Sequence, residues 1–158
     1  MTRELIQEYT LKISHSSRTE IIVVLFEICE HYIDDAIIAF WADDHDEFKK
    51  QCGNAQKVIN DLIASLDFDY EIALPLYRIY EYISKEIASA VIKNAANNLA
   101  TCKRFLSSLK ESFEKIAKED ASGPVMGNSQ TVYAGLTYGK GSLNENVTAT
   151  SSNRGFKA

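Results

Sequence analysis

The chain has 158 residues, 46% of them apolar and 25% charged, with a net charge of −5. That length is one ordinary domain, long enough to bury a core without disulfides or metals. The acidic balance argues against nucleic acid as the main partner, because phosphate needs clustered Lys and Arg.

Residues 1–16 contain LIQEYTLKI, with Leu5, Ile6, Tyr9, Leu11 and Ile13. This is too apolar for an idle tail, so the segment is expected to pack on the rest of the fold. The first helical period covers residues 17–40. Ser17 and Glu20 have the Ser-x-x-Glu spacing of a capping box. Ile21, Leu25, Ile28 and Tyr32 form one stripe, and Ile22, Phe26, Cys29, Ile33 and Ile37 a second beside it. The polar stripe through Glu20, Glu27, His31 and Asp34 is narrow, so this helix is apolar over more of its surface than one buried seam requires.

A second helix is predicted over 44–66, opened by Asp44 and Glu47. Phe48, Cys52, Ala55, Ile59, Leu62 and Leu66 follow heptad-like spacing. The third is predicted over 70–94 with Asp69 as its cap. Its core stripe is Ile72, Leu76, Ile79, Ile83, Ile87 and Ala90. Pro75 falls near its beginning and should kink it or delay its start. The fourth covers 98–118, with Leu99, Cys102, Leu106, Leu109, Phe113 and Ile116 on the core face. The joins near Asp43, Asp67 and Ala96 are short. Short joins between long helices favour antiparallel neighbours. The expected fold is all-α: an antiparallel up-down four-helix bundle, with an N-terminal apolar cap segment and a flexible C-terminal tail.

The domain boundary lies near Ser122. Up to that point there is one glycine, Gly53, and one proline, Pro75; the other six glycines and Pro124 follow. Residues 1–122 read as the folded domain and 123–158 as a Gly/Ser/Asn/Thr-rich tail. The tail holds Lys140, Arg154 and Lys157 against Glu145, a net of +2, which leaves −7 in the body. Within it, Val132, Tyr133, Leu136, Tyr138 and Leu143 stand among small polar residues. They are either incidental aromatics in a disordered stretch or a linear motif that docks on a partner or on the chain's own groove.

Catalytic chemistry finds little support. Cys29, Cys52 and Cys102 are odd in number and lack C-x-x-C spacing, as expected of buried free thiols in a reducing compartment. None of His15, His31 and His45 has the Glu-x-x-His pattern of a carboxylate-bridged metal bundle. Glu27, His31 and Asp35 lie on one face of a helix, where an ion-pair ladder is the ordinary reading. The acids around His45 in ADDHDEF suit a helix N-terminus, whose dipole they complement. There is no phosphate loop and no nucleophile elbow. No cofactor or metal is expected. The N-terminus lacks the apolar segment of a secretory signal, and no apolar run is long enough to span a bilayer, so a cytosolic protein without membrane insertion is expected. What does stand out is surplus apolar surface. The tyrosines Tyr70, Tyr77, Tyr80 and Tyr82 pair large rings with polar tips, which suits half-wet interfaces and a groove for an amphipathic helix.

One stretch carries a resemblance. Ser65, Leu66 and Asp67, then Glu71, Ile72 and Ala73, then Leu76, Ile79, Tyr80, Glu81 and Tyr82 match a pattern found in the flagellar secretion chaperone family, FliS. Leu25, Phe26 and Glu27 match its Leu-[Tyr/Phe]-[Asp/Glu] element, although Ile28 and Cys29 stand where the family has Gly and Ala. Ala55, Val58, Ile59 and Leu62 resemble another family run. Phe113 replaces a common tryptophan, and Val91 and Ala95 replace a frequent Asn and Asp. The likeness extends from Tyr9 to Ile116. It implies a cytoplasmic, non-enzymatic export chaperone that binds the disordered C-terminal region of flagellin and blocks its premature polymerisation. Such proteins are bundles whose N-terminal segment covers an apolar pocket until the client displaces it. The resemblance implies Leu5, Ile6 and Tyr9 as the cap, with Tyr9 its aromatic. It implies Tyr9, Leu25, Phe26, Leu76, Ile79, Tyr80 and Tyr82 as the client-binding or motif region, and further export components as partners. The readings from other classes are a self-associating helical adaptor without a flagellin client and a carboxylate-bound metal enzyme.

Overall fold

The structure, a computed structural model, describes residues 1–126. The described residues form five α-helices and no strand: α1 (Arg3–Ser14), α2 (Arg18–Trp41), α3 (His45–Ala64), α4 (Ala73–Lys93) and α5 (Leu99–Glu119). The four periods anticipated between residues 17 and 118 correspond to α2–α5, and the N-terminal segment is itself helical.

Local chemistry accounts for most helix ends. At α2 both halves of the capping box form: Ser17 Oγ accepts from the Glu20 amide at 3.3 Å, and the Ser17 amide donates to Glu20 Oε2 at 2.7 Å. Asp44 caps α3 by accepting from the Glu47 amide at 3.0 Å. The join before it turns at Asp43, which takes φ 59°, a left-handed conformation that Asp tolerates better than most residues. At the end of α4, Asn94 is left-handed and the Ala95 amide returns to the Ala90 carbonyl at 3.0 Å, closing the last turn.

The start of α4 differs from expectation. It begins at Ala73 after Ile72, with no side-chain cap, rather than at residue 70 after Asp69. Pro75 gives the physical reason. Within the first turn its missing N–H removes no helical bond, whereas a helix starting further back would set its ring against a carbonyl one turn earlier. Residues 67–72 turn instead, with the Asp69 amide donating to Asp67 Oδ1 at 3.0 Å. Ile72, expected in the core, is therefore exposed, as is Ile116 in the last turn of α5.

α2 packs against both α3 and α5, α3 against α4, and α4 against α5; α1 packs on α2 alone. The core between them is continuous, from Phe26, Cys29 and Ile33 on α2 through Phe48, Ile59 and Leu62 to Tyr80, Ile83, Ile87, Leu99 and Leu106. The three cysteines are free and buried, and Cys29 Sγ donates to the Ala55 carbonyl at 3.8 Å. Burial pushes the thiols of Cys52 and Cys102 up to about 11 and that of Cys29 higher still, so none is a thiolate at neutral pH.

After α5 the chain folds back. Thr19 Oγ1 donates to Asp120 Oδ2 at 2.7 Å, the Ser122 amide donates to Asp120 Oδ1 at 2.9 Å, and the Val125 amide donates to the Ser16 carbonyl at 3.1 Å. The first residues beyond the expected boundary are thus attached to the α1–α2 junction. Residues 127–158, and with them the expected motif from Val132 to Leu143, lie outside the described residues.

Two outcomes are expected. Phe26 is wholly excluded from water, so Phe26→Ala should cost about 3–5 kcal/mol in a urea titration; a loss below about 1 kcal/mol would contradict this packing. Hydrogen bonds from Ser122 and Thr19 hold the Asp120 carboxyl down at about 2, below its usual 3.8. Its contribution is therefore present above the ordinary carboxylate value and is lost as pH falls through about 2. A carbon-detected NMR titration of this carboxyl checks it; a midpoint near 3.8 would contradict the attachment.

Candidate partner-binding site

The motif residues separate into three places. The first is an apolar cleft of about 180 Å³ at the end of the molecule where α3 turns into α4. Ile22 of α2, Leu66 just beyond α3, Leu76 and Tyr80 of α4 and Phe113 of α5 line it, with Tyr70 and Ile72 at its mouth. Phe26 lies behind, its ring centroid 6.2 Å from that of Tyr80 and 5.5 Å from that of Phe113. Burial pushes the Tyr80 hydroxyl above its ordinary range, so it stays a neutral phenol. The turn leaves Phe68, Tyr70, Ile72 and Leu74 exposed, Tyr70 by 67% and Ile72 by 62%. Of these, Tyr70 and Ile72 line the cleft, and Phe68 packs edge-on against Tyr77 at 6.0 Å. Asp67, Asp69 and Glu71, all exposed, alternate with them.

The second place is the outer face of α4 and α5. There Tyr82 meets Phe105 edge-on at 5.6 Å, both rings partly in water. Leu25 and Ile79 belong to neither place in particular; both pack half-buried against the core. Phe105 was not anticipated, because it stands beside the α5 stripe rather than on it. An off-stripe aromatic on each of two successive helices is the signal that would have found the pair. Ile38 and Trp41, exposed at the far end of α2, were missed for the same reason.

The third place is the seat of α1. Tyr9 is buried there, its ring 5.9 Å from that of His31, while Leu5 is half-buried and Ile6 and Leu11 are exposed. The floor is charged, not the apolar pocket that the resemblance implied. Along α2, Glu27 pairs with Lys12 of α1 at 2.7 Å. Glu30 accepts from Lys110 Nζ at 2.7 Å and from the Ser107 hydroxyl, and Asp34 pairs with Lys103 at 2.6 Å. A polar cavity of about 510 Å³ remains between α1, α2 and α5. The ladder expected among Glu27, His31 and Asp35 is replaced by pairings to other elements, with Asp35 taking the Met1 amine. Burial, then the carboxylates of Glu27, Glu8 and Glu30, push the Tyr9 hydroxyl up to about 12.

The attachment of α1 is weak on this geometry. One buried ring contributes about 2 kcal/mol, and a solvated ion pair such as Lys12–Glu27 about 0–1 kcal/mol. His45 meets Asp43 at 3.5 Å at the exposed α2–α3 join, and among the described residues no group of His, Cys, Asp and Glu is placed to hold a metal. No described helix is long and apolar enough to cross a membrane. Tyr9→Ala should speed hydrogen exchange of α1 amides roughly thirtyfold, with α2–α5 unaffected. Equal exchange in the two proteins would show that α1 is held by something else.

No curated protein matches the chain. A family does, and over nearly all of the described residues: residues 2–120 match the family described as flagellar protein FliS. The match takes in all five helices, the apolar cleft and the α1 seat, and the chain accordingly belongs to the FliS family of flagellar export chaperones.

Proposed function

We propose that this chain binds the disordered C-terminal region of flagellin in the bacterial cytosol, prevents its premature polymerisation and keeps it fit for export. The observation that carries this reading is the exposed pair Tyr70 and Ile72 on a cleft lined by Leu76 and Tyr80, two of the family-motif residues. A surface of this kind suits an amphipathic helix that folds as it binds. In this reading α2–α5 are an antiparallel up-and-down bundle, supported by their short joins and by the closed ring of contacts from α2 through α3, α4 and α5. Residues 1–122 are the chaperone domain, and α1 is its cap.

Masking is stoichiometric and needs no catalytic group. Apolar burial on the cleft supplies the driving force, offset by the cost of ordering the client. The client displaces α1 and takes over its seat, and other export components bind the complex. Tyr9, Leu25, Phe26, Leu76, Ile79, Tyr80 and Tyr82 are the side chains through which the surface is built, with Phe26 and Ile79 acting from behind. Trp41, 78% exposed at the opposite end, favours a second reading, self-association as a helical adaptor.

Calorimetric titration with a peptide from the C-terminal end of the host's flagellin tests the proposal. One-to-one binding with a negative heat-capacity change is expected, weakened about tenfold by Tyr70→Ser combined with Ile72→Ser. No heat with about 100 µM protein would overturn it. Mass rising with concentration in the absence of peptide would support the adaptor instead.

A further inference from the structure

We propose that the segment of this chain over residues 131–138 docks in the apolar cleft between α3 and α4, making the protein an occupant of its own surface. The inference rests on the cleft and on where the chain leaves the fold, and not on the identity of any client. The first observation is the exit point. The Val125 amide is bonded to the Ser16 carbonyl and Asp120 to Thr19, so the chain departs at the N-terminal end of α2. Ile22, which lines the cleft, is one helical turn from Thr19.

Reach follows from chain length. Tyr133 is seven residues beyond Met126 and Tyr138 twelve. At about 3.3 Å per residue these span up to roughly 23 and 40 Å, more than the exit point requires. The chemistry of the segment fits as well. Val132, Tyr133, Leu136 and Tyr138 fall within seven residues, separated only by the small Ala134, Gly135 and Thr137. A cleft of about 180 Å³ is of the size that admits one aromatic ring.

Charge points the same way. Asp67 lines the cleft, and neither it nor the exposed Asp69 and Glu71, neighbours in sequence of the lining residues Tyr70 and Ile72, makes an ion pair among the described residues; the Asp67 carboxylate accepts from the Asp69 amide. Residues 127–158 carry Lys140, Arg154 and Lys157 against Glu145, and Lys140 follows Tyr138 by two residues. Tethering decides between this occupant and a second copy. A segment joined to the fold by a few residues faces the cleft at an effective concentration near millimolar, far above that of free protein in a dilute sample.

Disulfide trapping in the full chain tests the proposal. The native cysteines are buried, so Ile72→Cys with Tyr138→Cys supplies the thiol pair under test. Ile92→Cys with Tyr138→Cys is the control, Ile92 being exposed in the last turn of α4, about 30 Å away along the helix. Under mild oxidation at low micromolar concentration, the first pair should close within one chain about tenfold faster than the control. Equal rates would overturn the proposal, and disulfides formed mainly between chains would replace it with a second copy. An independent readout is alkylation of Ile72→Cys alone. It should accelerate about threefold or more when Tyr133, Leu136 and Tyr138 are changed to Ser; an unchanged rate would also overturn docking.

Discussion

α2 has more apolar surface than one neighbour can cover, and the rest of the molecule is arranged around that constraint. Phe26, Cys29 and Ile33 face the common core, while Leu25, Ile28 and Tyr32 need a second flank. α3 and α5 take the two sides. What remains of the circumference is a line of carboxylates, Glu27, Glu30 and Asp34. A buried carboxylate such as Glu30 is stable only with a charged partner and a full set of hydrogen bonds. α5 provides them for Glu30 as Ser107 and Lys110, and Lys103 pairs with Asp34, so the apolar and ionic contacts between α2 and α5 run side by side.

That arrangement determines what α1 can be. By the time α3 and α5 are in place, the part of α2 open beside α1 is the charged line, while Ile38 and Trp41 stay exposed at its far end. α1 therefore rests on acids and lysines, with a single aromatic ring for an anchor. The apolar cleft has a different origin. Pro75 delays α4, the turn before it stays irregular, and the apolar residues that a longer helix would have turned inward are left around an opening. One part of the surface is loosely covered by a helix and the other is bare, and both follow from sequence features far from any catalytic chemistry.

Much of this was legible in the sequence. Period 3.6 located α2–α5, and the Ser17–Glu20 spacing marked the start of α2 to within a residue. The segment before it was harder, because Leu5, Ile6, Tyr9, Leu11 and Ile13 mix helical and alternating spacing and do not define one face. Asp69 read as a cap because its residue type suits one; the constraint from Pro75 decided otherwise. Glu30 drew no notice because its partners, Ser107 and Lys110, lie some eighty positions away, beyond the reach of any local pattern. For the same reason the sequence motif did not reveal that Tyr82 and Tyr9 stand on faces apart from the Leu76–Tyr80 cleft. Spacing along a helix tells which residues share a side, and only the packing of helices tells which sides meet.

The three cysteines have a consequence of their own. Each is sealed beneath side chains from several helices, and its proton is held tightly there. A thiol reagent therefore meets them only when the helices part, at a rate set by the opening equilibrium and not by thiol chemistry. The native sequence thus carries three internal clocks, on α2, α3 and α5, whose relative rates distinguish the loss of one helix from the separation of all of them.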